Sequence, residues 1–182
     1  MSLETILREN RDFIVDKWFA VILATYPEDA RKFLGAKRRR ITNPVGSTIS
    51  SGVSCLFDCL VSGNDLECDE TISVLDDIIR IRAIQGFTPA QALGFIFELK
   101  AIVRDAIRLR VREGRDLEEL LTFEAGIDKL SLLAFNIYMQ CREKIYELKT
   151  NEFKRRYSRI VERACQVWES RGECVPEELN PE

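Results

Sequence analysis

The hydrophobic and polar positions of this chain repeat with a helical period almost from end to end. In residues 3–24 the apolar positions Ile6, Phe13, Ile14, Trp18, Val21 and Ile22 wrap one face of a helix. "TYP" at 25–27 stops it, and Pro27 falls in the first turn of a short helix ending near Leu34-Gly35. Asn43 then caps a helix that has Pro44 at its first position and runs to about Val61. Its buried face is expected to hold Val45, Ile49, Val53, Leu56, Phe57 and Leu60. A turn over 62–69 leads into a helix over about 70–84 that alternates charge with isoleucine and stops at Gln85-Gly86. Thr88, Pro89 and Gln91 form a capping-box start for a far more apolar helix, expected to reach about Arg112. Asp116 repeats the capping logic for the last stretch, which has no Gly or Pro between Ile127 and Ser170. No period-two segment bounded by hairpin turns competes anywhere. The pattern predicts an all-α protein: one domain of six or seven helices over 1–170, the last of them long, and an acidic, frayed tail over 171–182.

That last stretch has internal order. Ala134, Tyr138, Cys141, Ile145 and Leu148 step by four and three, and after a shift near Thr150 the pattern resumes at Phe153. Its continuation, Tyr157, Ile160, Ala164 and Val167 with Trp168 beside them, makes a seam for a partner helix. The seam either packs inside the domain, or pairs two copies of the chain, or is split into two helices at Thr150. Left bare, Tyr157, Ile160, Ala164, Val167 and Trp168 would form an apolar patch of the kind monomers avoid. A symmetric homodimer is the reading carried forward.

Composition narrows the function. A chain of 182 residues is most simply one domain, and a net charge of −3 with a pI near 5.3 gives no overall pull toward nucleic acid or anionic membrane. The opening MSLETILREN lacks the basic-then-apolar run of a signal peptide, and no apolar stretch is read as approaching the roughly 18–20 residues of a membrane span. The expectation is a cytoplasmic protein with no membrane and no nucleic-acid partner. Six cysteines without a CxxC pair argue for reduced thiols, mostly core residues. Histidine is absent altogether, which removes Ser-His and Cys-His nucleophiles, His-ligated haem and the Glu-x-x-His di-iron motif. No enzymatic activity, metal or cofactor is expected.

Each candidate site has a plain alternative. Lys37-Arg38-Arg39-Arg40 lacks interleaved aromatics and reads as a solvated loop. Asp77, Arg80, Arg82 and Gln85 form a candidate ligand or partner surface beside the Gly86 hinge, where a small anion would meet the next helix N-terminus. Against that, Asp76 and Arg80 are spaced for an ordinary surface ion pair. Glu98, if buried, would need Arg142 or Lys144 as a partner; a partly exposed carboxylate is the simpler reading. Cys55 and Cys59 lack basic neighbours within a turn that would activate a thiol, which favours packing.

Three blocks, "TNPVGSTISSG" (42–52), "LDDIIRIRAIQGFTPAQALGFIFELK" (75–100) and "LLAFNIYMQCREKIYELKTNEFKRR" (132–156), resemble the RsbRD N-terminal domain family, the sensor module of RsbT co-antagonist proteins. The resemblance covers roughly residues 3–156, and its middle block is the most specific. It implies a non-enzymatic, globin-like helical bundle without haem, acting in bacterial stress or stressosome signalling. In full-length family members a long helix leads into a STAS domain that handles kinase and partner switching. Here 26 residues follow Arg156, whereas a further domain needs at least ~50, so a stand-alone module is expected, with a STAS- or kinase-type regulator as partner. Two alternatives stand beside this: a small-molecule sensor with a pocket around 75–100, and an accessory subunit of a metabolic complex.

Overall fold

The computed structural model describes residues 2–35, 43–108 and 114–170, without the side chains of 114–116 and 169. All regular structure among these residues is helical: α1 (Leu3–Glu9), α2 (Arg11–Ala24), α3 (Glu28–Leu34), α4 (Pro44–Ser62), α5 (Asp69–Ile84), α6 (Pro89–Ile107) and α7 (Gly114–Ser170). They fall into two compact units, residues 1–141 and 142–182. Lys37-Arg38-Arg39-Arg40 and the expected tail over 171–182 lie outside the described residues.

The local signals set most helix ends. Asn43 accepts the Gly46 N–H at 3.0 Å, and its amide donates to the Phe33 and Leu34 carbonyls, so the cap of α4 also ties down the end of α3. Thr88 and Gln91 form the capping box of α6 in both directions. At the end of α5, Gly86 takes a left-handed φ of +82°; its N–H donates to the Ala83 carbonyl while the Phe87 N–H reaches back to Arg82. Two orphan carbonyls are thereby satisfied at the corner where α5 turns into α6.

Two boundaries differ from the sequence expectation. The helix expected over 3–24 is two, because the Asn10 side chain donates to the Ile6 carbonyl at 2.7 Å and competes with the backbone there. Among the described residues α6 runs to Ile107, and its expected end near Arg112 lies outside them; α7 is already helical at Gly114, which places Asp116 inside it rather than at its cap. At Thr150, where the sequence left a break open, α7 runs through as one helix.

The core of the first unit gathers α1 to α6 and the beginning of α7. Trp18, Ile22, Ile49, Val53, Phe57, Leu75, Ile78, Ile79, Ile96 and Leu99 are sealed in it, joined by Phe123, Ile127, Leu130, Ala134 and Tyr138 from α7. Each large apolar side chain buried this way contributes about 1.5–3 kcal/mol. Helix α4 packs tightly on α5 at Gly52, where an added Cβ would stand 2.8 Å from Ile78 Cδ1. Between α2 and α4, Arg11 forks onto Asp58 with two 2.6 Å bonds and reaches Ser54, and Asp58 holds its guanidinium well above the usual range.

By length and composition α4 is apolar enough to cross a membrane, with a mean hydropathy of 1.3. This corrects the expectation that no stretch approached a span; Asp58 is the one charge in the helix, and the small serines and glycines between the large side chains lower the average only a little. In the fold, α4 is a core helix packed on α5 and α2.

Candidate functional site

The register of α5 decides what the charged residues near Gly86 do. Leu75, Ile78, Ile79, Arg82 and Ala83 all lie on its buried face, and Arg82 is 0% exposed. Arg82 Nε donates to the Ala92 carbonyl at 3.1 Å, and Nη2 donates to the Gln91 carbonyl at 2.6 Å and to Thr25 Oγ1 at 3.1 Å. One side chain thus ties together the end of α2, the end of α5 and the first turn of α6. Its guanidinium lies 4.4 Å from the Phe87 ring centre and 5.6 Å from those of Tyr26 and Phe95. Aromatic faces and neutral oxygens, with no carboxylate among its bonded partners, hold the charge. Burial pushes the Arg82 pKa down, and nearby Tyr26 works against that shift. Among the described residues Nη1 has no hydrogen-bond partner.

The surrounding groups brace the same corner. The Tyr26 hydroxyl donates to Gln85 Oε1 at 2.9 Å, and its ring meets Phe87 edge-on. Tyr138 from α7 donates to the Phe87 carbonyl at 2.7 Å, and the Trp18 indole N–H donates to the Phe95 carbonyl at 2.7 Å. Burial raises the Tyr26 pKa, with Arg82 opposing.

Of the four residues read as one surface, only Asp77, Arg80 and Gln85 are exposed. Arg82 is turned into the core, which corrects that reading. The expected pair forms between Arg80 and Asp76, at 2.7 Å, and raises the Arg80 pKa. The capping box already occupies N–H groups at the start of α6 that an anion would use. Glu98 is exposed. Among the described residues the buried carboxylate is Glu124, held by a two-bond fork from Arg104, a pair the sequence reading missed. Burial raises the thiol pKa of Cys55 and of Cys141, and the cysteines of the described residues are free.

Two further surfaces have the character of contact sites. On α7, Phe153, Tyr157 and Ile160 are 70, 54 and 65% exposed, and Val167 is exposed as well, while Ala164 and Trp168 are half-buried. In the first unit a cleft of about 620 Å³ opens between α1, the end of α4 and the start of α7. Leu3, Leu7, Leu60 and Phe123 are among its apolar lining, and its charged lining among the described residues is Glu4, Glu118 and Glu119. Glu119 accepts the Leu3 N–H at 2.7 Å, fastening the start of α1 to α7.

Residues 12–152 match the model of the RsbT co-antagonist protein RsbRD N-terminal domain. The matched span contains the Arg82 corner and ends just before the exposed stripe of α7. An uncharacterized protein of Archaeoglobus fulgidus is 26% identical over 148 residues, covering 79% of this chain and 84% of that one. No solved structure matches the chain.

Proposed function

The chain belongs to the RsbT co-antagonist protein RsbRD N-terminal domain family, and from that premise we propose a cytoplasmic, non-catalytic regulator that works through protein contacts. Its class is a stress-signalling module. Its first partner is a second copy of itself, and its second is a regulatory protein of the STAS or kinase type. The observation that carries this reading is the apolar stripe Phe153, Tyr157, Ile160 and Val167, exposed along a regular helix. Large side chains at a coiled-coil spacing on an uncovered helix face are what an association element presents.

Light scattering on the full chain tests it. The wild type should run as a dimer, and Ile160→Glu with Trp168→Glu should give a monomer of unchanged helicity. A dimer of unchanged mass removes α7 as the interface, and a wild-type monomer removes self-association.

A second reading, a small-molecule sensor with its site around 75–100, is favoured by Arg82 Nη1, a buried donor left without an acceptor. An anionic ligand retained in native mass spectrometry, and lost in Arg82→Gln, would support it. An empty wild-type protein would remove it.

A further inference from the structure

The α7 stripe has a charge pattern that bears on what covers it. Taking Phe153, Tyr157, Ile160, Ala164 and Val167 as the seam, the flanking positions from 149 to 168 are Lys149, Lys154, Arg156, Val161, Arg163 and Trp168. The acids of that span, Glu152 and Glu162, fall outside the flanks, and Glu152 is engaged by Arg156. In a symmetric parallel pair Lys149 of one helix would face Lys154 of the other; in an antiparallel pair basic flanks would again face basic flanks. Stripe-on-stripe pairing therefore sets like charges along the seam. The fitting partner is apolar in its floor and acidic at its rim.

The first unit presents such a surface. Among the described residues its cleft is lined by leucines and Phe123 with Glu4, Glu118 and Glu119 as the charged groups, Glu119 being engaged by the Leu3 N–H. Glu4 is shared with Arg8, whereas Glu118 is exposed. At about 620 Å³ the cleft has room for a few large side chains of a docked helix. The geometry points to a reciprocal exchange: the basic, apolar stretch 149–167 of α7 docks in the acidic, apolar cleft of a second copy, and that copy returns the same contact. Such an exchange closes as a two-fold dimer with two equal interfaces. This inference rests on the reading of the stripe as a contact surface and names what the stripe contacts.

Charge swapping tests it on the full chain, with circular dichroism to confirm folding. Lys154→Glu with Arg163→Glu, and separately Glu4→Lys with Glu118→Lys, should each weaken the dimer by at least about tenfold. Mixing the two variants should restore a dimer, since each acidic helix then meets a basic cleft. Dimers that persist in both variants, or that mixing fails to restore, overturn the exchange. If Ile160→Glu still abolishes the dimer in that case, only the cleft assignment has failed. Zero-length carbodiimide cross-linking of a mixture of normal and 15N-labelled wild-type chains gives a readout that needs no variant to fold. A mixed-isotope Lys154–Glu118 peptide supports the exchange, and its absence, or a same-chain link alone, overturns it.

Discussion

At the scale of single residues, the buried guanidinium of Arg82 is the least ordinary feature. Its position was legible in the sequence, because Leu75, Ile78, Ile79 and Arg82 share one helical face, whereas Ile84 falls off it and is exposed. Reading the charge as a surface marker overrode the register. Because no carboxylate is bonded to Arg82, the fit of the side chain should matter more than its charge. Arg82→Met, which keeps the length and removes the charge, should cost about 1–3 kcal/mol. Arg82→Lys should cost more, on the order of 3–5 kcal/mol, since a compact, strongly hydrated ammonium cannot span the two carbonyls and would stay buried. Urea unfolding of both variants decides the order. Tyr26 gives a pH signature at the same corner. Its pKa is raised in the folded state, so the stability it contributes is present below its unfolded value of about 10 and is lost as pH rises through the folded value. Its phenolate should be the late one in an absorbance titration of the folded protein, and Tyr26→Phe should reduce the alkaline loss of stability.

At the scale of elements, two glycines test whether the corner is set by backbone geometry. At Gly86 an added Cβ meets nothing within 4 Å, but φ is +82°, a region that β-branched residues avoid. Gly86→Val should therefore destabilise by about 1–3 kcal/mol without any clash. Gly94, inside α6, also has open space around it and no positive φ. Gly94→Ala should stabilise by about 0.5–1 kcal/mol. Thermal melts should move in opposite directions, by roughly 2–4 °C per kcal/mol for a chain of this size. The elements themselves were largely readable, because their signals are local: Asn43, Thr88-Pro89-Gln91 and Gly86 each act within a few residues. The break at Asn10 was not read, since an asparagine that diverts one carbonyl looks like any polar position on a helix. The Arg104–Glu124 and Arg11–Asp58 forks were beyond reach for another reason: each joins residues from different helices, and no spacing rule pairs them.

At the scale of the whole molecule, the two compact units differ in how they are held. Residues 1–141 contain the shared core, with its many fully buried aliphatic and aromatic side chains. In the described part of the second unit, most side chains from 142 to 170 are exposed or half-buried. Amide exchange should reflect this. Protons of α4, α5 and α6 should exchange slowest, near the global unfolding limit, while those of 142–170 should exchange orders of magnitude faster at low protein concentration. Raising the concentration should slow the second group alone if association covers α7, because binding the folded helix stabilises it by mass action. Uniform protection across both regions at all concentrations would argue against helix docking as the molecule's means of contact.

The placement of the two tryptophans has an optical consequence. Trp18 is sealed in the first unit, one aromatic ring away from Arg82, and Trp168 is half-buried in the second. An indole in a dry site emits toward the blue and is sheltered from dissolved quenchers, whereas a wet one emits toward the red and is quenched readily. Each unit therefore carries its own intrinsic lamp. A disturbance of the α5–α6 corner should register in the blue component, and contact along α7 in the red one. Trp168→Phe leaves the first lamp alone, and Trp18→Phe the second, so the two kinds of event can be followed separately in unlabelled protein.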